Sequence, residues 1–230
     1  MTGAVEPAGD GAVAGNVAIG GFIAELRARP EVVGALLFGS WARGDHQAGS
    51  DVDLVVIVEA GYARSVEYRG AQAFEILYVT AQDALAYWRA HPDNAAALWA
   101  VAQILHDRDG TMRGLATQAA ELLAAGKPRW NAAQIAHARF DTDDLLRHVT
   151  QVASSDPETA NLLLTNKVMA LTGLYFDLRT AWTPPPKQRL ARLAAHDHEL
   201  AALVRRFYAA PTVAQLALVT EVVRRVFALG

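Results

Sequence analysis

Residues 36–57, LLFGSWARGDHQAGSDVDLVVI, constrain this chain more than any other stretch. An apolar run stops at Gly39-Ser40, and after ten intervening residues a second run opens on two aspartates. The first run, Val32 to Phe38, is short, branched and followed by glycine, which predicts a buried strand rather than a helix. Gly39 lets the backbone turn where a Cβ would obstruct it, and Ser40 brings a hydroxyl and an amide to the strand's end. Such a turn suits a phosphate. Asp51 and Asp53 stand at the mouth of the second strand, Asp51–Val58. Alternation along a strand puts both carboxylates on one face and sends Val52 into the fold. Two like charges held that close call for a divalent cation between them.

A third acid, Glu75, lies inside the later apolar run AFEILYV. Burying a carboxylate without a partner is costly, so a metal role is the economical reading. If this run pairs beside the Asp51–Val58 strand, Glu75 completes an all-oxygen site for one or two magnesium ions. An edge-strand glutamate facing water is the other reading, and Glu59 and Glu67 are rival acids.

Gly39-Ser40, ten residues, then Asp51-x-Asp53 resembles the signature of the DNA polymerase β-like nucleotidyltransferase superfamily, in the form carried by its minimal and antibiotic-modifying members. Arg43-Gly44 after the serine and Ser50 before the first aspartate match as well. The resemblance implies an α/β nucleotidyltransferase domain with a mixed sheet. It further implies that Asp51, Asp53 and Glu75 hold magnesium, and that Gly39, Ser40, Ser50 and Arg43 meet the nucleotide. Arg43 offers a guanidinium fork to phosphate oxygens, unless it is a solvated loop arginine. His46, in the same loop, reads as exposed.

The 230 residues, 52% hydrophobic and 20% charged, suit a folded chain of two small domains. Residues 1–15 are rich in glycine and alanine and are expected to be flexible. Residues 16–128 are expected to form the nucleotidyltransferase domain and residues 129–230 an all-α bundle. A net charge of −3 and pI near 6.2 argue against a broad footprint for duplex nucleic acid, so no nucleic-acid partner is expected. Absence of cysteine excludes disulfides, thiolate metal sites and a thiol nucleophile. Neither a basic leader nor a spanning apolar stretch is evident, which predicts a cytoplasmic protein without membrane contact.

In the first domain, a helix is expected from Asn16 to Arg29, an irregular stretch from Gly61 to Gly70, helices over 81–91 and 94–102, and a short strand in QILHDRDG. A helix from Thr111 to Ala125 closes the domain. Beyond Trp130 helical periodicity takes over, with helices expected over 131–154, 157–182, 187–195, 198–208 and 212–229. Ser-Ser-Asp-Pro at 154–157, three prolines at 184–186 and Pro211 supply the breaks.

Two stretches of this half, RFDTDDLLRHV and GLYFDLRTAWTPPPKQRL, resemble the helical domain of small bacterial nucleotidyltransferases, with Ala181 and Thr183 as departures from that pattern. Asp144 is a candidate general base in a cleft, or else a solvated acid paired to Arg147 or His148. Lys187 is a candidate for the outer phosphates, or else an exposed lysine at a helix start.

The layout implies transfer of a nucleoside monophosphate, AMP from ATP, to a hydroxyl of a small molecule such as an aminoglycoside or lincosamide. The alternative is an antitoxin-type protein on the same fold, binding or AMPylating a protein partner.

Overall fold

The computed structural model describes residues 16–228, so the expectation for residues 1–15 lies outside the described residues. The chain divides into two compact units between Ala125 and Gly126.

The first unit is built on a five-stranded sheet of order β3-β4-β2-β1-β5. Its strands are β1 (Val32–Phe38), β2 (Val52–Val58), β3 (Ala63–Arg69), β4 (Gln72–Val79) and β5 (Gln103–Asp107). β2 and β4 run parallel and every other pairing is antiparallel. Both faces are covered, which is why the central strands read as continuous apolar runs. Helix α1 (Val17–Arg27) lays Ile19, Phe22, Ile23 and Leu26 against Val52, Leu54, Val56, Phe74 and Ile76. Asn16 caps it by accepting from the amides of Ala18 and Ile19, and the adjacent Gly20 and Gly21 fall on its exposed side.

On the opposite face lie Val55, Ile57 and Val79. They pack against Trp88, Trp99, Met112 and Leu115 of α3 (Ala81–Ala90), α4 (Pro92–Trp99) and α5 (Thr111–Ala124).

Two expectations need correction here. The stretch taken as irregular, 61–70, contains β3, which closes on β4 through a two-residue turn at Gly70-Ala71 with Arg69 opposite Gln72. Gly70 has φ 62, the left-handed conformation that tight hairpin turns demand. The residues after Phe38 are also more regular than a turn and loop: Gly39–Arg43 form one helical segment, α2, whose Trp41 and Ala42 pack on the α1 side of the core.

The second unit is all helix: α6 (Ala132–Val152), α7 (Pro157–Leu178), α8 (Pro186–His196), α9 (His198–Ala209) and α10 (Thr212–Val226). A capping box between Asn131 and Gln134 starts α6. Leu164, Val168, Leu171 and Phe176 of α7 meet Val204, Phe207, Val219 and Val222 in its core. No helix among the described residues is long and apolar enough to cross a membrane.

Helix α7 stops four residues short of the expected Trp182. Thr180 adopts φ 52, Ala181 N–H bonds to Phe176 O at 3.0 Å, and Thr180 N–H bonds to Asp177 O at 3.1 Å. That pair of bonds is a Schellman ending, with threonine where glycine is usual. A β-branched residue at positive φ is strained by about 1–2 kcal/mol. Thr180 is exposed, so little packing is lost on truncation. Thr180→Gly is therefore expected to stabilise the protein by about 0.5–1 kcal/mol, after allowing for the freer unfolded chain. A urea midpoint at or below wild type would refute this.

Candidate active site

Residues of odd number on β2 and β4 share one face. Along that face Val55, Ile57, Leu77 and Val79 pack into the core with helices α3–α5, but at the strand entrances the same rows carry Asp51, Asp53 and Glu75. Asp53 stands directly opposite Glu75 in the parallel register. One carboxylate oxygen from each of Asp51, Asp53 and Glu75 lies within 4.8 Å of the other two. Like charges at such range repel by roughly 1 kcal/mol per pair in water and by about 4 kcal/mol in lower-dielectric surroundings. The donor set is hard and all-oxygen, which fits magnesium or calcium and disfavours metals that prefer sulfur or imidazole.

Glu75 is not on an edge strand, since β4 runs between β2 and β3. The rival acids are engaged elsewhere. Glu59 pairs with Arg108 at 2.8 Å, and Glu67 pairs with Arg69 at 3.3 Å and accepts from the Tyr78 hydroxyl at 3.1 Å.

Gly39 explains how Asp53 fits. It follows Phe38, which pairs with Asp53 across β1 and β2, and its φ is 72. A Cβ there would sit 2.7 Å from Asp53 Cγ and closer still to its carboxylate oxygen. Glycine is thus required twice, by the left-handed backbone and by the space the acid occupies. Ser40 follows within α2, and its carbonyl accepts from the amide of Asp45 at 3.1 Å.

Ser50 holds the loop that delivers Asp51. Its hydroxyl accepts from the Gln47 amide at 2.9 Å. Its carbonyl takes Trp41 Nε1–H at 3.2 Å and the Gln72 side-chain amide at 2.9 Å, tying the entrance of β2 to α2 on one side and β4 on the other. Trp41 in turn stacks on His46, ring centroids 3.6 Å apart, so this histidine is exposed but packed. Arg43 ion-pairs with Asp45 at 3.0 Å, and its hydrogen bond holds the Asp45 carboxyl below the usual range.

In the second unit, Asp144 is exposed on α6 and pairs with Arg147 at 2.8 Å. Its neighbours Asp141 and Asp143 pair with His137 at 3.3 Å and Arg139 at 3.1 Å, so each acid of this helix has a basic partner nearby. Lys187 is exposed in the first turn of α8.

One residue at the site escaped sequence reasoning. Arg64 of β3 directs both Nε–H and Nη2–H to Glu75 Oε1, the Nε contact being 3.1 Å. The Glu75 carboxylate, and to a lesser degree Asp53, raises the guanidinium above its usual range. The signal that could have found it is the hairpin. Val66 faces Glu75 and Arg64 faces Leu77, which makes Arg64 a diagonal neighbour of Glu75, within reach of a long side chain.

Comparison with known proteins agrees with this architecture. Residues 19–91 match the family described as nucleotidyltransferase domain. Among solved structures, a nucleotidyltransferase-like protein from Exiguobacterium sibiricum 255-15 is similar, with a TM-score of 0.50 and 13% identity, covering 91% of this chain and 73% of that one. At that identity the likeness is one of fold. No curated protein matches the chain in sequence. The strand-turn-strand motif and the sheet agree with that family match: residues 19–91 of this chain match the nucleotidyltransferase domain family.

Proposed function

We propose that this protein transfers a nucleoside monophosphate, AMP from ATP, to a hydroxyl of a small molecule, with Asp51, Asp53 and Glu75 as ligands for magnesium. The observation that supports the reading is the meeting of three carboxylates within 4.8 Å beside a glycine whose missing side chain makes room for one of them. A bound magnesium ion supplies charge neutralisation and Lewis acidity at the phosphates.

The chain's own groups would do the rest. Gly39 and Ser40 would seat the outer phosphates on the turn that opens α2, and Ser50 acts by fixing the loop into Asp51. Arg43 would offset the charge that grows on the leaving group. The acceptor hydroxyl would lose its proton to water as it attacks. The acceptor oxygen bonds to the α-phosphorus as the bond to the bridging oxygen breaks, and pyrophosphate departs.

Two measurements test this. Calorimetric titration with a non-hydrolysable ATP analogue is expected to show magnesium-dependent binding, and its absence would sink the enzyme reading. Incubation with labelled ATP, magnesium and a panel of aminoglycosides and lincosamides is expected to yield an AMP adduct and pyrophosphate. Binding without an adduct on any of them would overturn the acceptor class alone.

A further inference from the structure

We propose that Arg64 is a positioning residue for the metal site, holding Glu75 by one carboxylate oxygen and leaving the other to the cation shared with Asp51 and Asp53. The proposal rests on the metal reading above. Both guanidinium bonds go to Oε1, and Oε2 takes no hydrogen bond among the described residues. The same arrangement already brings the three acids within 4.8 Å, so the Arg64 contact and the carboxylate cluster coexist.

Packing gives this arginine no other duty. Its side chain is 69% exposed on the outermost strand, and ion pairs so exposed contribute little to stability. What the contact does is restrict a side chain with three rotatable bonds. An untethered Glu75, itself 32% exposed, would spread over several rotamers, few of which aim an oxygen at Asp53. Two N–H groups on one oxygen select among them, as partners beyond the ligands commonly do at metal centres.

The positive charge of Arg64 also opposes a cation nearby. Solvent and salt screen that repulsion at an exposed site, whereas the orienting bonds act at contact distance, so orientation prevails. Arg64 would then strengthen metal binding rather than compete with it.

Mn2+ binding to the full chain, followed by the electron paramagnetic resonance of free Mn2+, tests this without any turnover. Arg64→Ala is expected to weaken binding at least about tenfold, with an unchanged circular dichroism spectrum and urea midpoint. Arg64→Lys, which restores a charge but not the fork, is expected to fall between Arg64→Ala and wild type. Binding by Arg64→Ala equal to or tighter than wild type would overturn the assignment and leave Arg64 a mere counter-ion. Equal losses in both variants with a lowered urea midpoint would overturn it too, as a structural effect. A wild-type protein that takes up no Mn2+ overturns the metal reading together with this one.

Discussion

Asp53→Asn is expected to lower nucleotidyl transfer by at least about 10³-fold while the protein stays folded. The size follows from the several kcal/mol that a positioned divalent ion contributes to a phosphoryl transition state, at about 1.4 kcal/mol per decade. Asparagine keeps the shape and one acceptor oxygen but removes the charge. Without metal the variant should be as stable as wild type or more so, because one of three mutually repelling carboxylates is gone. With magnesium the order should reverse. A ligand bound only by the native state stabilises it by about 2.7 kcal/mol at a hundred times its dissociation constant, and the variant forfeits that gain. Thermal unfolding with and without magnesium reads the crossover. A variant that magnesium stabilises as much as it does wild type would remove Asp53 from the ligand set.

Gly39→Ala is expected to do comparable harm with no change of charge at all. The new methyl group needs a left-handed backbone, at about 1–2 kcal/mol, and the volume that the Asp53 carboxylate occupies. The acid must swing away or β1 and β2 must part at Phe38 and Asp53. A displacement of about 1 Å in such a site costs on the order of 10²-fold in rate. Metal affinity should fall in parallel, since the ligand itself is moved. Full turnover by this variant would mean that Asp53 does not work from the position described here.

The strands that carry the acids were legible because both faces of β2 are buried and β4 buries Phe74, Ile76 and Val79 beside it, which forces apolar runs whose interruptions stand out. Asp51, Asp53 and Glu75 are those interruptions. β3 was not legible for the opposite reason. ARSVEYR offers Val66 as its one aliphatic residue beyond alanine and carries charges at Arg64, Glu67 and Arg69, the composition of an edge that must resist pairing with other chains. Missing β3 meant missing Arg64. The Ser50 carbonyl, with its two side-chain donors from Trp41 and Gln72, leaves no trace in local pattern, because the contact joins residues up to 22 positions apart. The end of α7 was misjudged because a left-handed residue is read from glycine or asparagine, and here it is Thr180.

The placement of β4 between β2 and β3 also bears on how the sheet assembles. β3 and β4 close through a two-residue turn, a local event on the microsecond scale, whereas β2 and β4 pair in parallel with the whole of β3 between them in sequence. Glu75 is therefore expected to reach Asp53 as part of a formed hairpin. The cluster of three carboxylates comes together only when that hairpin pairs with β2. Metal would then do little to hasten the nucleus of folding and would act chiefly by slowing escape from the native state, making this chain's lifetime, more than its rate of formation, answer to the ion.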